Sequence, residues 1–224
     1  MMGLSNWLHW TAWFINSFVF VLIPIIVIAI MLSVSFGSNG RMLNKSDGSL
    51  VFVFLVLYIL SAIMFSFLVS TFFYRANIAA AASGILWFAT YIPYFFLSQN
   101  YNTLSRGSRI AASLDFNVGM ALGSFLIGQW EGEGSGAQWS NIRKGVSVDD
   151  PFSLGDVFLM LCIDCIVYGI LTWYIEAVFP GEYGIPRRFY FPFQKKYWCA
   201  VQEHVRLFPS FPQYCFYFEI LILE

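Results

Sequence analysis

The chain of 224 residues is 58% hydrophobic and 20% aromatic, and only 11% of its residues are charged. A soluble domain carries about 25% charged residues. This composition therefore excludes a water-soluble globular protein and predicts an all-α, polytopic integral membrane protein. The formal net charge of −1 argues against nucleic acid as a partner. Two histidines are too few for a His-based metal site, so we predict no metal ligands.

Four apolar stretches are long enough to cross a membrane. At about 1.5 Å per residue, each is longer than the roughly 30 Å of a hydrocarbon core. The predicted transmembrane helices are 10–36, 50–74, 76–99 and 154–178. Pro24 lies near the middle of the first of these, where a proline is expected to kink the helix.

The stretch 108–128 is apolar and rich in small residues, with Asp115 inside it and a GxxxG pattern from Gly119 to Gly123. Because it is short for a full crossing, we interpret it as re-entrant or interfacial outer helices. A fifth full span is the alternative. The Gly-rich and acidic residues 129–153 are expected to form a solvated exocytoplasmic loop.

Basic residues predict the orientation of the chain. They are frequent after the last span, in residues 179–224, and Lys and Arg near span ends stay cytoplasmic. We therefore expect 179–224 to be a cytoplasmic tail, and four crossings then place residues 1–9 on the same side. The rule is not obeyed everywhere, because four basic residues fall on the predicted outer side. These are Arg106, Arg109, Arg143 and Lys144.

One outer loop contains a glycosylation sequon, Asn44-Lys45-Ser46. The loop is short and lies close to the membrane, which would hinder the glycosylating enzyme. We expect the asparagine to remain unmodified.

The last predicted span differs from the others in its acidic residues. Asp164 lies about halfway along it, where a carboxylate is costly and usually faces the bundle interior or water. Two interpretations stay open for this residue. It either lines a substrate path or couples two halves of a transporter, or it is a structural hydrogen-bonding or protonated acid. Glu176 lies near the predicted membrane–water interface, where water can solvate a charge.

Sequence motifs for catalysis are missing from the chain. No GxxxxGK[ST] phosphate loop is present, nor are HExxH or GxSxG motifs. We therefore predict no catalytic residue, no enzyme activity and no cofactor bound by this chain.

Four segments together resemble the first transmembrane domain of the A subfamily of ABC transporters, which has the ABC-2 type of membrane domain. They are MGLSNWLHWTAW (2–13), YRANIAAAASG (74–84), SLDFNVGMALGSFLIG (113–128) and the long stretch 161–198. The last contains a helix-exit motif made of Phe179, Pro180, Gly181, Tyr183, Gly184 and Pro186. Asp164 and Glu176 fall on acidic positions of the same pattern. The resemblance covers about nine-tenths of the chain and points to the lipid-exporting branch.

The resemblance implies export or flipping of phospholipid or sterol, driven by ATP and Mg²⁺ on domains that this chain lacks. Residues 1–9 would be a cytoplasmic helix that couples to a nucleotide-binding domain. The coupling residues would be Gly3, Leu4, Trp7, Leu8, His9 and Trp10. The implied partners are membrane lipids, the nucleotide-binding domains and the second membrane half. The implied location is the plasma membrane or an intracellular vesicle membrane.

The residues after Trp198 depart from the family pattern, so we expect the chain to be a truncated piece of such an exporter. The alternative is an ATPase-free regulatory or scaffold subunit with several spans. A channel is the weakest possibility, because the first three spans contain no ionisable residue and no filter-like repeat.

Overall fold

The computed structural model describes residues 6–33, 43–73, 75–147, 151–179 and 187–193, and these form helices, turns and loops. Six α-helices follow one another along the chain. They are α1 (Asn6–Ser33), α2 (Gly48–Ser70), α3 (Ala76–Gln99), α4 (Arg106–Ala112), α5 (Phe116–Gly132) and α6 (Leu154–Val178). In these ranges the only β-type pairing is an isolated bridge between Gly145 and Ser153. The prediction of an all-α fold is confirmed.

Four of the helices, α1, α2, α3 and α6, are long and apolar enough to cross a membrane. Their bounds differ from the predicted spans at the ends. α1 begins at Asn6 and runs without interruption through Pro24 to Ser33, so residues 6–9 are not a separate helix. α5 has 17 residues and continues to Gly132, which shortens the predicted loop that begins at 129. The fifth full span is not among the four candidate spans.

Large apolar side chains cover the outside of the bundle. Phe88 of α3 is 79% exposed, and no residue in the apolar window of this helix is buried. Exposing such a surface to water would be unfavourable. Lipid tails can surround it without that cost, because they are as apolar as the side chains. The four long helices therefore give an integral, multi-pass membrane protein.

The helix α2 lies at the centre of the fold because both of its sides are apolar. Val51, Leu55, Ile59 and Ile63 recur every four residues and pack against α1. The other side packs against α5 and α6, with Phe54 buried between them. The Ser61 hydroxyl donates a hydrogen bond to the Leu161 carbonyl of α6 at 2.8 Å, which ties the two helices together.

The helices α4 and α5 form a hairpin beside this core. Ser105 and Asp115 cap their N-termini by accepting hydrogen bonds from backbone N–H groups. The start of α4 is held near the start of α6, where Arg106 pairs with Asp156 at 2.9 Å. The turn of the hairpin reaches about halfway along α6, where the Tyr168 hydroxyl donates to the Leu114 carbonyl at 3.2 Å. The hairpin thus enters the bundle from one end and turns near its middle.

The chain divides into two compact units, Met1–Glu176 and Ala177–Glu224. In the described part of the second unit, the Arg187 N–H donates to the Ala177 carbonyl at 3.0 Å, and Phe191 is buried. Of the predicted helix-exit motif, Phe179 is described and exposed. Pro180, Gly181, Tyr183, Gly184 and Pro186 lie outside the described residues.

Candidate functional site

A buried amide joins three helices at the turn of the hairpin. Asn117, in the first turn of α5, accepts a hydrogen bond from the Tyr58 hydroxyl of α2 at 3.1 Å. Its Nδ2 donates to the Trp87 carbonyl at 3.0 Å and to the Thr90 hydroxyl at 2.7 Å, both on α3. Polar groups buried in an apolar bundle need such partners. Asn117 therefore fixes the position of α5 between α2 and α3.

A cavity of about 580 Å³ opens beside this amide, between α2, α3 and α5. Most of its wall is aromatic. The lining residues are Tyr58, Trp87, Tyr91, Tyr94, Asn117, Met120, Ala121, Ser124 and Phe125. Phe116 supports the wall from behind, since its ring packs against Trp87 at 5.0 Å and Tyr58 at 5.9 Å between centroids. The cavity is thus shaped by rigid rings with a hydrogen-bonded amide at its edge.

Asp164, the sharpest candidate from the sequence, does not line this cavity. It is 1% exposed, on the part of α6 that faces the core, and its Oδ2 has no hydrogen-bond partner among the described residues. A buried carboxyl without a paired cation is unfavourable in a low-dielectric interior. Asp164 therefore lies in the core of the described bundle and not at the cavity wall.

Two residues that the sequence singled out for different reasons meet at the other end of the bundle. The Trp10 indole Nε1 near the start of α1 donates to Glu176 Oε2 near the end of α6, at 2.7 Å. The same indole ring packs edge-on against Phe67 of α2, 5.1 Å between centroids. This contact joins two residues that are 166 positions apart in the chain. We call it the Trp10–Glu176 clasp.

Among the described coupling residues, Leu8 and His9 take no part in the clasp. Leu8 and His9 are exposed on α1, and the His9 ring contacts Trp10 and Trp13 edge-on at 6.2 Å. Trp7 lies within α1, but its side chain is outside the described part of the structure. Gly3 and Leu4 also lie outside it.

A third polar contact, which no sequence pattern indicated, holds the end of α5 to the loop that contains residues 44–46. The Glu131 carboxylate accepts hydrogen bonds from the backbone N–H groups of Asn44 (2.6 Å), Lys45 (2.9 Å) and Ser46 (3.1 Å), and from the Ser46 hydroxyl (2.7 Å). Burial alone would raise the pKa of Glu131. The hydrogen bonds outweigh this effect and hold the pKa below its ordinary value of 4.5.

A glycine makes this loop contact possible. Gly136 has a φ of +71°, and a Cβ there would collide with the backbone of Lys45. Only glycine fits such a position without strain. In the sequence, the Gly-rich pattern after Glu131 pointed to this region. It predicted a loop there, but not the contact of Glu131 with residues 44–46. The hydroxyl of the Asn44 sequon, Ser46, is already engaged by Glu131 and by the Ala137 N–H.

Comparison with known proteins agrees with the architecture. Residues 1–174 match the family described as ABC-2 family transporter protein. The chain is 48% identical over 200 residues to the human phospholipid-transporting ATPase ABCA3, and 39% identical over 201 residues to the human ATP-binding cassette sub-family A member 2. It is 36% identical over 206 residues to the bovine retinal-specific phospholipid-transporting ATPase ABCA4.

These matches cover 88 to 90% of this chain but only 8 to 12% of the length of the relatives. The chain therefore corresponds to one membrane segment of much longer proteins. The family match spans α1 to most of α6, and the similar proteins belong to the A subfamily. This chain belongs to the ABC-2 family of transporter proteins, and within it resembles the membrane region of the A-subfamily ABC transporters.

Proposed function

We propose that this chain forms part of the lipid path of an ATP-driven transporter, with ATP and Mg²⁺ bound on nucleotide-binding domains that belong to other segments. Two of the relatives are named phospholipid-transporting ATPases. The observation that carries the proposal is the cavity between α2, α3 and α5, because it gives a membrane helix bundle a place for a ligand. The regulatory or scaffold alternative is not favoured, since the matched relatives are transporters.

The hairpin α4–α5 would be re-entrant in this arrangement, entering from the exocytoplasmic side and returning to it. Its turn lies beside the middle of α6 and its two ends lie toward the start of α6 and the 44–46 loop. Buried polar groups hold the turn, which is the condition for irregular backbone at membrane depth. The hairpin would then form one wall of the lipid path at the outer leaflet.

The Trp10–Glu176 clasp would transmit movement at the cytoplasmic end. The segment 1–9, with Gly3, Leu4, Trp7, Leu8 and His9, would contact a nucleotide-binding domain, and the clasp would pass its displacement to α6. The second membrane half of the transporter would face the exposed helices. The protein would act in the plasma membrane or an intracellular vesicle membrane.

A chimera tests this proposal directly. The segment of human ABCA3 that matches this chain would be replaced by the chain's own aligned residues, and ATP-dependent movement of fluorescent phospholipid would be measured in vesicles. We expect translocation above the level of an ATPase-deficient chimera. A chimera that reaches the membrane and hydrolyses ATP, yet moves no lipid, would contradict the proposal.

A further inference from the structure

The helix α1 has a carboxamide, Asn16, exposed at membrane depth. The candidate span Leu8–Ser33 has its middle between residues 20 and 21, so at about 1.5 Å per residue Asn16 lies roughly 7 Å from that middle. A hydrocarbon core extends about 15 Å to either side of its own middle. The side chain is too short to reach the headgroups, as the longer Lys and Arg side chains do. With lipid alone around α1, this amide would therefore face hydrocarbon.

Other polar side chains in this bundle show how such groups are satisfied. The Thr172 hydroxyl of α6 donates to the Tyr168 carbonyl of its own helix at 2.7 Å, and the Asn117 amide makes three hydrogen bonds. The described residues offer Asn16 no such partner. A carboxamide has two N–H donors and a carbonyl acceptor, and it is costly to leave them unpaired in an apolar medium. The amide therefore calls for a partner from outside this bundle.

The side of α1 that carries Asn16 is turned away from α2. Phe14 and Phe18 belong to the side that packs on α2, and they stand two residues before and two residues after Asn16. At about 100° of rotation per residue, Asn16 points nearly the opposite way. Its exposed neighbours one turn before and after are Ala12 and Phe20. Because Ala12 is small, a second helix can approach closely there.

We propose that this outer face of α1, made of Ala12, Asn16, Phe20 and Ile23, packs against a transmembrane helix from another segment of the transporter, which hydrogen-bonds to the Asn16 amide. Interhelical hydrogen bonds help to join helices in lipid, where the tails offer no competing partner. The chain spans only 8 to 12% of the length of its relatives, so a transporter of that size has other segments to supply such a helix. The inference rests on the proposed function and specifies the face of α1 that the rest of the transporter contacts.

Photocrosslinking in the ABCA3 chimera tests the proposal. The photoreactive analogue p-benzoylphenylalanine would replace either Phe20, on the outer face, or Phe18, on the side that packs on α2. Protease sites would be placed at both ends of the exchanged segment. After irradiation and cleavage, we expect the segment with the analogue at position 20 to remain joined to another fragment of the transporter. With the analogue at position 18, the segment should be released at its own size, because it crosslinks within itself.

The role of the amide is tested in the same chimera. With the analogue at position 20, Asn16→Leu should lower the yield of the joined product several-fold, because the partner helix loses its hydrogen bond. Asn16→Gln keeps a carboxamide and should retain most of the yield. Ile15→Leu, at the neighbouring exposed position, is the matched control. Equal yields for Asn16→Leu and Ile15→Leu would contradict the hydrogen bond.

Two other products would overturn the proposal. A segment released from the position 20 chimera with lipid adducts alone would mean that lipid covers this face. A crosslinked product with twice the mass of the chimera before cleavage would assign the face to a second copy. The comparison of positions 20 and 18 leaves Asn16 unchanged, so it holds even if Asn16→Leu fails to fold. A joined product in a chimera that moves no lipid would contradict the proposed function alone, and its absence from a chimera that transports would contradict this inference alone.

Discussion

Single polar side chains set the fine positions of the helices in this bundle. Asn117 joins α2, α3 and α5 through one amide, and Glu131 joins the end of α5 to the 44–46 loop through one carboxylate. The groups around Asn117 are part-buried and have few alternatives for hydrogen bonding. In an apolar setting, the loss of one partner leaves the others unsatisfied, which costs more than the bond itself contributes.

Replacing Asn117 with Leu should therefore destabilise the fold by about 1–3 kcal/mol, because the Tyr58 and Thr90 hydroxyls lose their shared partner. Thermal unfolding of the purified chain in detergent measures this change. Asn77→Leu, at an exposed position at the start of α3, is the matched control and should have little effect. Equal melting temperatures for the two variants would show that the amide network is not stabilising.

Glu131→Gln should remove the acid dependence of the contact between this side chain and the 44–46 loop, because the amide does not titrate. The pKa of Glu131 is lowered in the folded state, so the carboxylate contributes stability that is complete above its ordinary pKa of 4.5 and is lost as pH falls through the folded value. Amide hydrogen exchange at Lys45 and Ser46, compared with the Gln variant at each pH, measures this. Glu133→Gln, exposed two residues further on, should retain the behaviour of the unmodified chain. The expectation fails if protection in the unmodified chain does not weaken at acid pH.

At the scale of the helices, close packing depends on where small residues lie. Gly119 and Gly123 of α5 face the core, where Cβ atoms would lie 3.3 Å from Leu161 and 2.5 Å from the Phe54 ring. The GxxxG pattern thus indicated a real contact surface, which packs against α2 and α6. The same helix has Gly128 and Gly132 in open space.

Gly123→Ala should cost about 1–3 kcal/mol, because the new methyl group displaces the buried Phe54 ring, which is stacked on Phe158. Gly128→Ala on the same helix meets nothing within 4 Å and should be neutral or stabilising by up to about 1 kcal/mol. Unfolding temperatures of the two variants give the comparison. A Gly123→Ala variant as stable as Gly128→Ala would mean that α5 can move away from α2 at no cost.

The sequence predicted the helices much better than the contacts between them. An uncharged stretch such as 50–74 can only be a span, and length alone defines α2 to within a few residues. Trp10 was singled out, and so was Glu176, but no local pattern could place them 2.7 Å apart. Asn117 escaped notice because a single amide inside an apolar stretch looks ordinary until its neighbours in space are known.

At the scale of the whole unit Met1–Glu176, the clasp is a contact between the first long helix, α1, and the last, α6. Trp10→Phe keeps an aromatic ring against Phe67 but removes the indole N–H that donates a hydrogen bond to Glu176. We expect this change to lower ATP-dependent lipid movement in the chimera several-fold, since charge-assisted bonds contribute about 1.5–3 kcal/mol. Trp13→Phe, at a largely exposed ring one turn further along α1, should leave transport unchanged. Equal activity of both variants would remove the clasp from the coupling route.

The exposure of α3 has a mechanical consequence. Its apolar window contains no buried residue, and its polar attachment to the rest of the bundle includes the Asn117 amide at Trp87 and Thr90. When such a helix is pulled out of the bilayer, mainly the surrounding lipid resists its extraction. Extraction of α2 must also break the contacts on both of its sides. Force spectroscopy on the chain in a bilayer should therefore extract α3 at a lower force than α2. The helix that contributes Trp87, Tyr91 and Tyr94 to the cavity wall would then also be the first to be extracted.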